Sequence, residues 1–263
     1  MFKQKIKQEW QEFCVLMKNI PTVVVVLFIM SVFAMNLLAN KSINIPLEWL
    51  ACDCGIIVSW FAFFTMDIVT KHFGPKAANQ ITILAILINL FFCFLMFLGS
   101  IIPGMWGESF VADSESIINN ALDNTFGGTW YVVLGSTIAF LVSAIVNNFS
   151  NYGIGKLFKK NSDGLGVYII RTYISTAIGQ FVDNLVFALI VSHFFFGWSI
   201  IQCLTCAATG MIVELLCEGI FFYPGYLITK KWKNKGVGQE YFNLRTKEIA
   251  NESTNNGNEQ RDR

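Results

Sequence analysis

Six helices crossing a membrane are the fold this sequence predicts, and three observations predict it. Of its 263 residues 54% are hydrophobic and only 14% charged, where a soluble domain carries about 25% charged residues. The mean hydropathy is +0.52, and phenylalanine alone fills 25 positions. The basic residues gather at alternate ends of the apolar runs, the pattern of a multi-pass chain with one cytoplasmic face. The class is therefore an all-α membrane protein. A net charge of +1 gives no footprint for nucleic acid. Seven cysteines scattered through apolar segments make no disulfide framework. Cys203-x-x-Cys206 has the spacing of half a metal site but no second pair, so neither a metal nor another cofactor is expected.

The first element, 1–19, is basic and amphipathic. Phe2, Ile6, Trp10, Phe13 and Met17 recur every three or four residues, with Lys3, Lys5 and Lys7 on other faces. That is the signature of a helix lying on the membrane surface. The apolar run after Pro21 lacks a small-residue cleavage site, so it reads as a span rather than a cleaved signal. The first span covers 22–39 and the second 50–66, the latter carrying Asp53 and Ser59. Lys71, His72 and Lys76 mark a cytoplasmic turn, and Gly74-Pro75 ends the helix.

The third span is 80–102, almost wholly apolar apart from Asn89. The longest internal loop, 103–129, holds Glu108, Asp113, Glu115 and Asp123 and no Lys or Arg. The fourth span, 130–146, runs into Asn147, Asn148 and Asn151 and then Lys156, Lys159 and Lys160. The fifth covers 166–195 and the sixth 200–228, stopped by Lys230, Lys231, Lys233 and Lys235. A polar tail, 231–263, is expected to be disordered. The 20–230 stretch is then one six-helix domain with both termini in the cytoplasm and the acidic 103–129 loop outside.

The fifth span is the one with chemistry in it. It carries Arg171, Thr172, Ser175, Thr176, Gln180, Asp183 and Asn184. At about 100° per residue, Thr172, Thr176, Gly179 and Asp183 share one stripe, with Arg171, Ser175 and Gln180 at its margins. Small and hydroxylated residues also serve as packing seams between membrane helices. An acid in the span exceeds that role, because a charged side chain costs about 2.5–3.5 kcal/mol at the bilayer centre and normally faces a wet interior. The stripe therefore reads as a substrate or ion pathway.

The sixth span runs back antiparallel and adds Glu214 and Glu218, four apart and on one face. Its direction puts Glu214 near the depth of Asp183 and Gln180, with Glu218 one turn nearer the cytoplasm. Arg171 is a candidate partner for Glu218. Asn148-x-x-Asn151 echoes the spacing of Gln180-x-x-Asp183, as two facing copies of one element would; it also suits a plain helix end.

At these residues the chain resembles the VUT family, the vitamin-uptake or queuosine-precursor transporters. The resemblance covers roughly 20–230 and rests on Asp67…Phe73-Gly74, Asn148-x-x-Asn151, Arg171-Thr172…Ser175…Gln180-x-x-Asp183 and Glu214…Glu218…Pro224. The chain departs from the pattern at Asn151 and Lys71, where the family carries acids, and at Glu214, where it carries Lys. The resemblance implies import of deazaguanine bases, such as 7-cyano- or 7-aminomethyl-7-deazaguanine, or of queuine, across a bacterial inner membrane. It also implies a fold similar to the substrate-binding subunits of energy-coupling-factor transporters. That likeness leaves open a vitamin-type subunit for another flat ligand, driven by an energising partner. A guanine-like edge offers adjacent N–H donors to one carboxylate, and an amide can answer its carbonyl; Asp183 and Gln180 form such a set, with Phe187 to stack on the ring. An intramembrane enzyme is the remaining class. His72 and His193 lie near span ends with no nucleophile at a suggestive spacing, so no catalytic residue is expected.

Overall fold

The computed structural model describes residues 2–107, 115–157 and 165–247, and no strand occurs among them. Helix α1, Phe2–Asn19, meets α2, Thr22–Leu38, at a bend of 106°. Pro21 sits at the corner, where its missing N–H costs α2 nothing. The exposed Ile6 and Trp10 on α1 suit a helix lying along a membrane surface. Helix α3, Ile56–Phe73, ends at Gly74, whose φ of 90° is a conformation only glycine adopts freely. Pro75 then opens α4, Pro75–Ile101, in the first-turn position that suits it. On α4 the buried residues Ala77, Ile81, Ala85, Asn89 and Cys93 recur every four, and small side chains among them let neighbouring helices approach. Leu87, Phe91 and Phe94 on the other faces are exposed, as lipid contact requires.

Helix α5, Glu115–Leu157, is 43 residues long, and α6, Leu165–Phe187, passes into a π-helical turn, Ala188–His193, and a short α7, Phe194–Phe196. Helix α8, Ile200–Asn234, starts in a capping box of Ser199 with Gln202 and continues through Pro224. Among the described residues, five helices are long and apolar enough to cross a membrane, or six crossings if the bent α1–α2 pair is counted as one. α5 packs along α6 and α4, while α8 packs on both α3 and α6 and so joins them.

Four boundaries differ from the sequence expectation. The second helix begins at Ile56, because 39–55 forms a separate strap in which Ser42 pairs with Asp53. The third starts at Pro75, earlier than its apolar run. The acidic loop is helical from Glu115, since Ile117, Ile118, Ala121 and Leu122 keep a helical rhythm among the acids. Asp123 holds this turn in place by accepting from Asn119 at 3.2 Å and from the Trp106 indole at 2.8 Å. The chain beyond Lys231 also continues as helix to Asn234 and again over 239–247. Tyr241 and Trp232 bury themselves there against Leu16, Phe73 and Ala77, which gives this part of the tail an apolar anchor its composition hides; 248–263 lies outside the described residues.

Candidate functional site

Three helices turn one face each toward a cavity of about 410 Å³. From α3 come Trp60, Phe63, Phe64, Asp67 and Lys71; from α6, Thr176, Gly179, Gln180 and Asp183; from α8, Glu214, Glu218 and Phe221. Each set repeats at three and four residues, so helical periodicity alone aligns it. α5 closes the side with Phe140 and Ser143. The Trp60 and Phe221 rings stack on one another with centroids 4.6 Å apart and planes at 14°, making a two-layer aromatic wall whose outer faces alone are open.

The polar groups are set unevenly. Ser143 Oγ lies 3.0 Å from Asp183 Oδ1 and 3.0 Å from the Phe140 carbonyl, and its single proton can serve only one of them. Asn184 donates from Nδ2 to Glu214 Oε2 at 3.3 Å. Gly210 makes that contact possible, since a Cβ there would stand 2.8 Å from the Asn184 amide nitrogen. Gln180 is nine-tenths buried and lines the cavity, and its Oε1 has no protein partner. Lys71 bridges Asp67 at 3.3 Å, both side chains being two-fifths exposed, and the Glu218 carboxyl reaches the same Asp67. Among the described residues the lining thus holds four carboxyls, Asp67, Asp183, Glu214 and Glu218, against one ammonium. Such a surface favours a ligand rich in N–H donors or carrying positive charge.

A second, smaller chamber of about 80 Å³ adjoins it, sharing Phe63, Asp183 and Glu214. Strap residues Cys52, Asp53 and Gly55 line it with Asn36, Asn184, Phe187 and Cys206. Asp53 lies outside the helices, and burial pushes its carboxyl up to about 6, partly offset by the Gly55 N–H that it accepts.

Of the residues singled out from sequence, Asp183, Gln180, Thr176, Glu214 and Glu218 come together at the main cavity and Phe187 at the smaller chamber. Ser175 is buried and absent from both linings. Arg171 and Thr172 fall in α6 and Asn148 and Asn151 in α5, with side chains outside what the structure describes. The charged neighbours described for Glu218 are Asp67 and Lys71. The aromatic wall and Ser143 were missed. Trp60, Phe63, Phe64 and Asp67 do repeat at helical spacing, but in a phenylalanine-rich span that pattern is indistinguishable from a lipid-facing stripe.

No group of three or more His, Cys, Asp or Glu could hold a metal among the described residues. His72 is engaged with the Val237 carbonyl at 2.9 Å and His193 with that of Trp198 at 2.6 Å, both structural contacts.

A family model described as "Putative vitamin uptake transporter" matches residues 53–228. The chain belongs to that vitamin uptake transporter family. The matched stretch runs from Asp53 of the strap to the turn of α8 beyond Pro224, so every residue named above as lining the main cavity falls within it. No curated protein and no solved structure matches the chain.

Proposed function

We propose that this transporter imports a queuosine precursor, a deazaguanine-type base or queuine, through the cavity between α3, α6 and α8, with no catalytic chemistry. The observation that carries the reading is the pairing of an aromatic wall with an excess of carboxyls inside the membrane. A planar base would extend the Trp60–Phe221 stack on its outer face and gain about 0.5–1.5 kcal/mol beyond its buried area. Its N–H edge would be read by Asp183, and Gln180 Oε1 is free to accept a further donor. Glu214, in place of the Lys of the family pattern, suits a precursor whose side arm ends in an ammonium. A volume of about 410 Å³ lies within the usual range of about 300–1,000 Å³ for small-ligand sites. The protein would sit in a bacterial inner membrane with both termini cytoplasmic, the basic ends of its helices inside.

Uptake of labelled 7-cyano- and 7-aminomethyl-7-deazaguanine by a queuosine-auxotrophic host tests this. Expression of the chain should restore accumulation, with the aminomethyl compound preferred. Restored uptake of neither compound, nor of queuine, would overturn the ligand assignment and leave only the family.

A further inference from the structure

The strap at 39–55 is held to the start of α8 by side chains of that helix. Gln202 Nε2 donates to the Glu48 carbonyl at 3.1 Å, and the Thr205 hydroxyl lies 2.7 Å from the Trp49 carbonyl. Inside the strap, two backbone bonds, Ile43 N–H to Cys52 O and Cys54 N–H to Lys41 O, each 2.8 Å, fix Cys52 in register. Its neighbour Ala51 packs in the same apolar cluster as Trp198, Cys203 and Cys206. Cys52 and Cys206 consequently both line the small chamber, one from the strap and one from α8. Both are free, and they lie 154 residues apart in sequence on the two elements that this end of the chamber joins.

We propose that Cys52 and Cys206 are a disulfide-forming pair whose oxidation fastens the strap to α8 and shuts the small chamber on that side. The reaction is thiol–disulfide exchange with a small external disulfide. One thiol, as thiolate, attacks a sulfur of that reagent and expels its first thiol. The second thiolate displaces the other, so one S–S bond breaks and one forms. Two cysteine protons leave, and the reagent departs as two thiols. Cys52 is the attacking group, since the neighbouring Cys206 thiol holds its own below the ordinary value against the opposing effects of burial and Asp53. Cys52 is only 5% exposed, so the strap must lift for the reagent to reach it. The bond then holds it down. Cys203 is no competitor: it is fully buried and donates to the Ala188 carbonyl.

The inference is independent of the transported ligand. Purified full-length protein in detergent is treated with oxidised glutathione, then alkylated and mapped by mass. The expected result is a 52–206 crosslink with two fewer alkylated thiols, lost in Cys52→Ser and in Cys206→Ser and kept in Cys54→Ser and Cys203→Ser. In a Ser136→Cys variant, whose thiol reports on the same chamber, oxidation should slow methanethiosulfonate labelling at position 136. A slowing of about a hundredfold is expected, the scale on which a tether shifts a docking equilibrium, and a reductant should reverse it. No 52–206 crosslink, or a crosslink that leaves position 136 equally reactive, would overturn the proposal. So would a position 136 that never labels in the reduced protein, because the strap would then not open.

Discussion

Two buried acids in this molecule are treated in opposite ways. Glu12 on α1 is fully buried, yet it is met by Lys76 at the start of α4, by Arg245 Nε at 3.3 Å and by the Tyr241 hydroxyl at 3.2 Å. Glu214 on α8 is 4% exposed, and the hydrogen bond described to it at 3.3 Å comes from a neutral amide, Asn184. The first acid is enclosed by two cations and a hydroxyl from two other parts of the chain and locks them to α1. The second stands with Asp183 at the edge of an open cavity. Burial by itself therefore says little about function. What distinguishes the two is whether the protein completes the charge or leaves it for something else to complete.

The sharpest test of the contrast is Asp183→Asn. It keeps the volume and removes the charged acceptor, so uptake should fall about 10- to 100-fold, the scale of a charge-assisted hydrogen bond of about 1.5–3 kcal/mol. Thermal stability in detergent should not fall by more than about 2 °C, since the isosteric amide keeps the volume and can still accept from Ser143 while removing a charge that burial disfavours. Undiminished uptake would remove Asp183 from the site.

Glu12→Ala should give the reverse. The two cations are each about one-third exposed, so the loss should be nearer 2 kcal/mol than the roughly 3–5 kcal/mol of a wholly buried pair. A fall in thermal midpoint of roughly 4–8 °C is expected, with uptake per folded molecule unchanged. If uptake falls while the midpoint holds, the division between the two acids fails.

Asp53 probes the ground between them. A carboxyl whose value is raised to about 6 in the folded state binds its proton more tightly folded than unfolded. The stability it contributes is present at low pH and declines as pH rises from about 4 through about 6. Asp53→Asn should therefore raise the thermal midpoint at pH 7.5 and change it little at pH 4. The difference is on the order of 2–3 kcal/mol for a shift of that size. An equal effect at both pH values would show that the group is not forced toward its neutral form.

The parts of this architecture that depend on one helix were readable in the sequence. Thr176, Gly179, Gln180 and Asp183 sit on one face because of the 3.6-residue period, and that needs no neighbour to be seen. Gly74-Pro75 likewise announces its own turn. What could not be read depends on partners far along the chain. Glu12 looks like the polar face of a surface helix until Lys76 and Arg245 are brought to it. Cys206 looks like half of a Cys-x-x-Cys motif, whereas the fold sets it in one chamber with Cys52. The start of α5 was hidden for another reason: its acids suggest a loop by composition, while Trp106, Asn119 and Asp123 supply a docking contact that composition does not register.

The joining of Glu12 to Arg245 and Tyr241 has a consequence for how the protein is made. Synthesis runs from the N-terminus, so α1 emerges and settles long before its partners at 241 and 245 exist. During that interval Glu12 has Lys76 at most, and the apolar seat of Tyr241 beside Leu16 and Phe73 stands unfilled. The clasp closes only after residue 245 has left the ribosome. A chain cut short before that point would keep all its spans and its cavity, yet the apolar seat beside Leu16 and Phe73 would stay open. Emergence of the 239–247 helix is thus marked by the same contact that stabilises the fold.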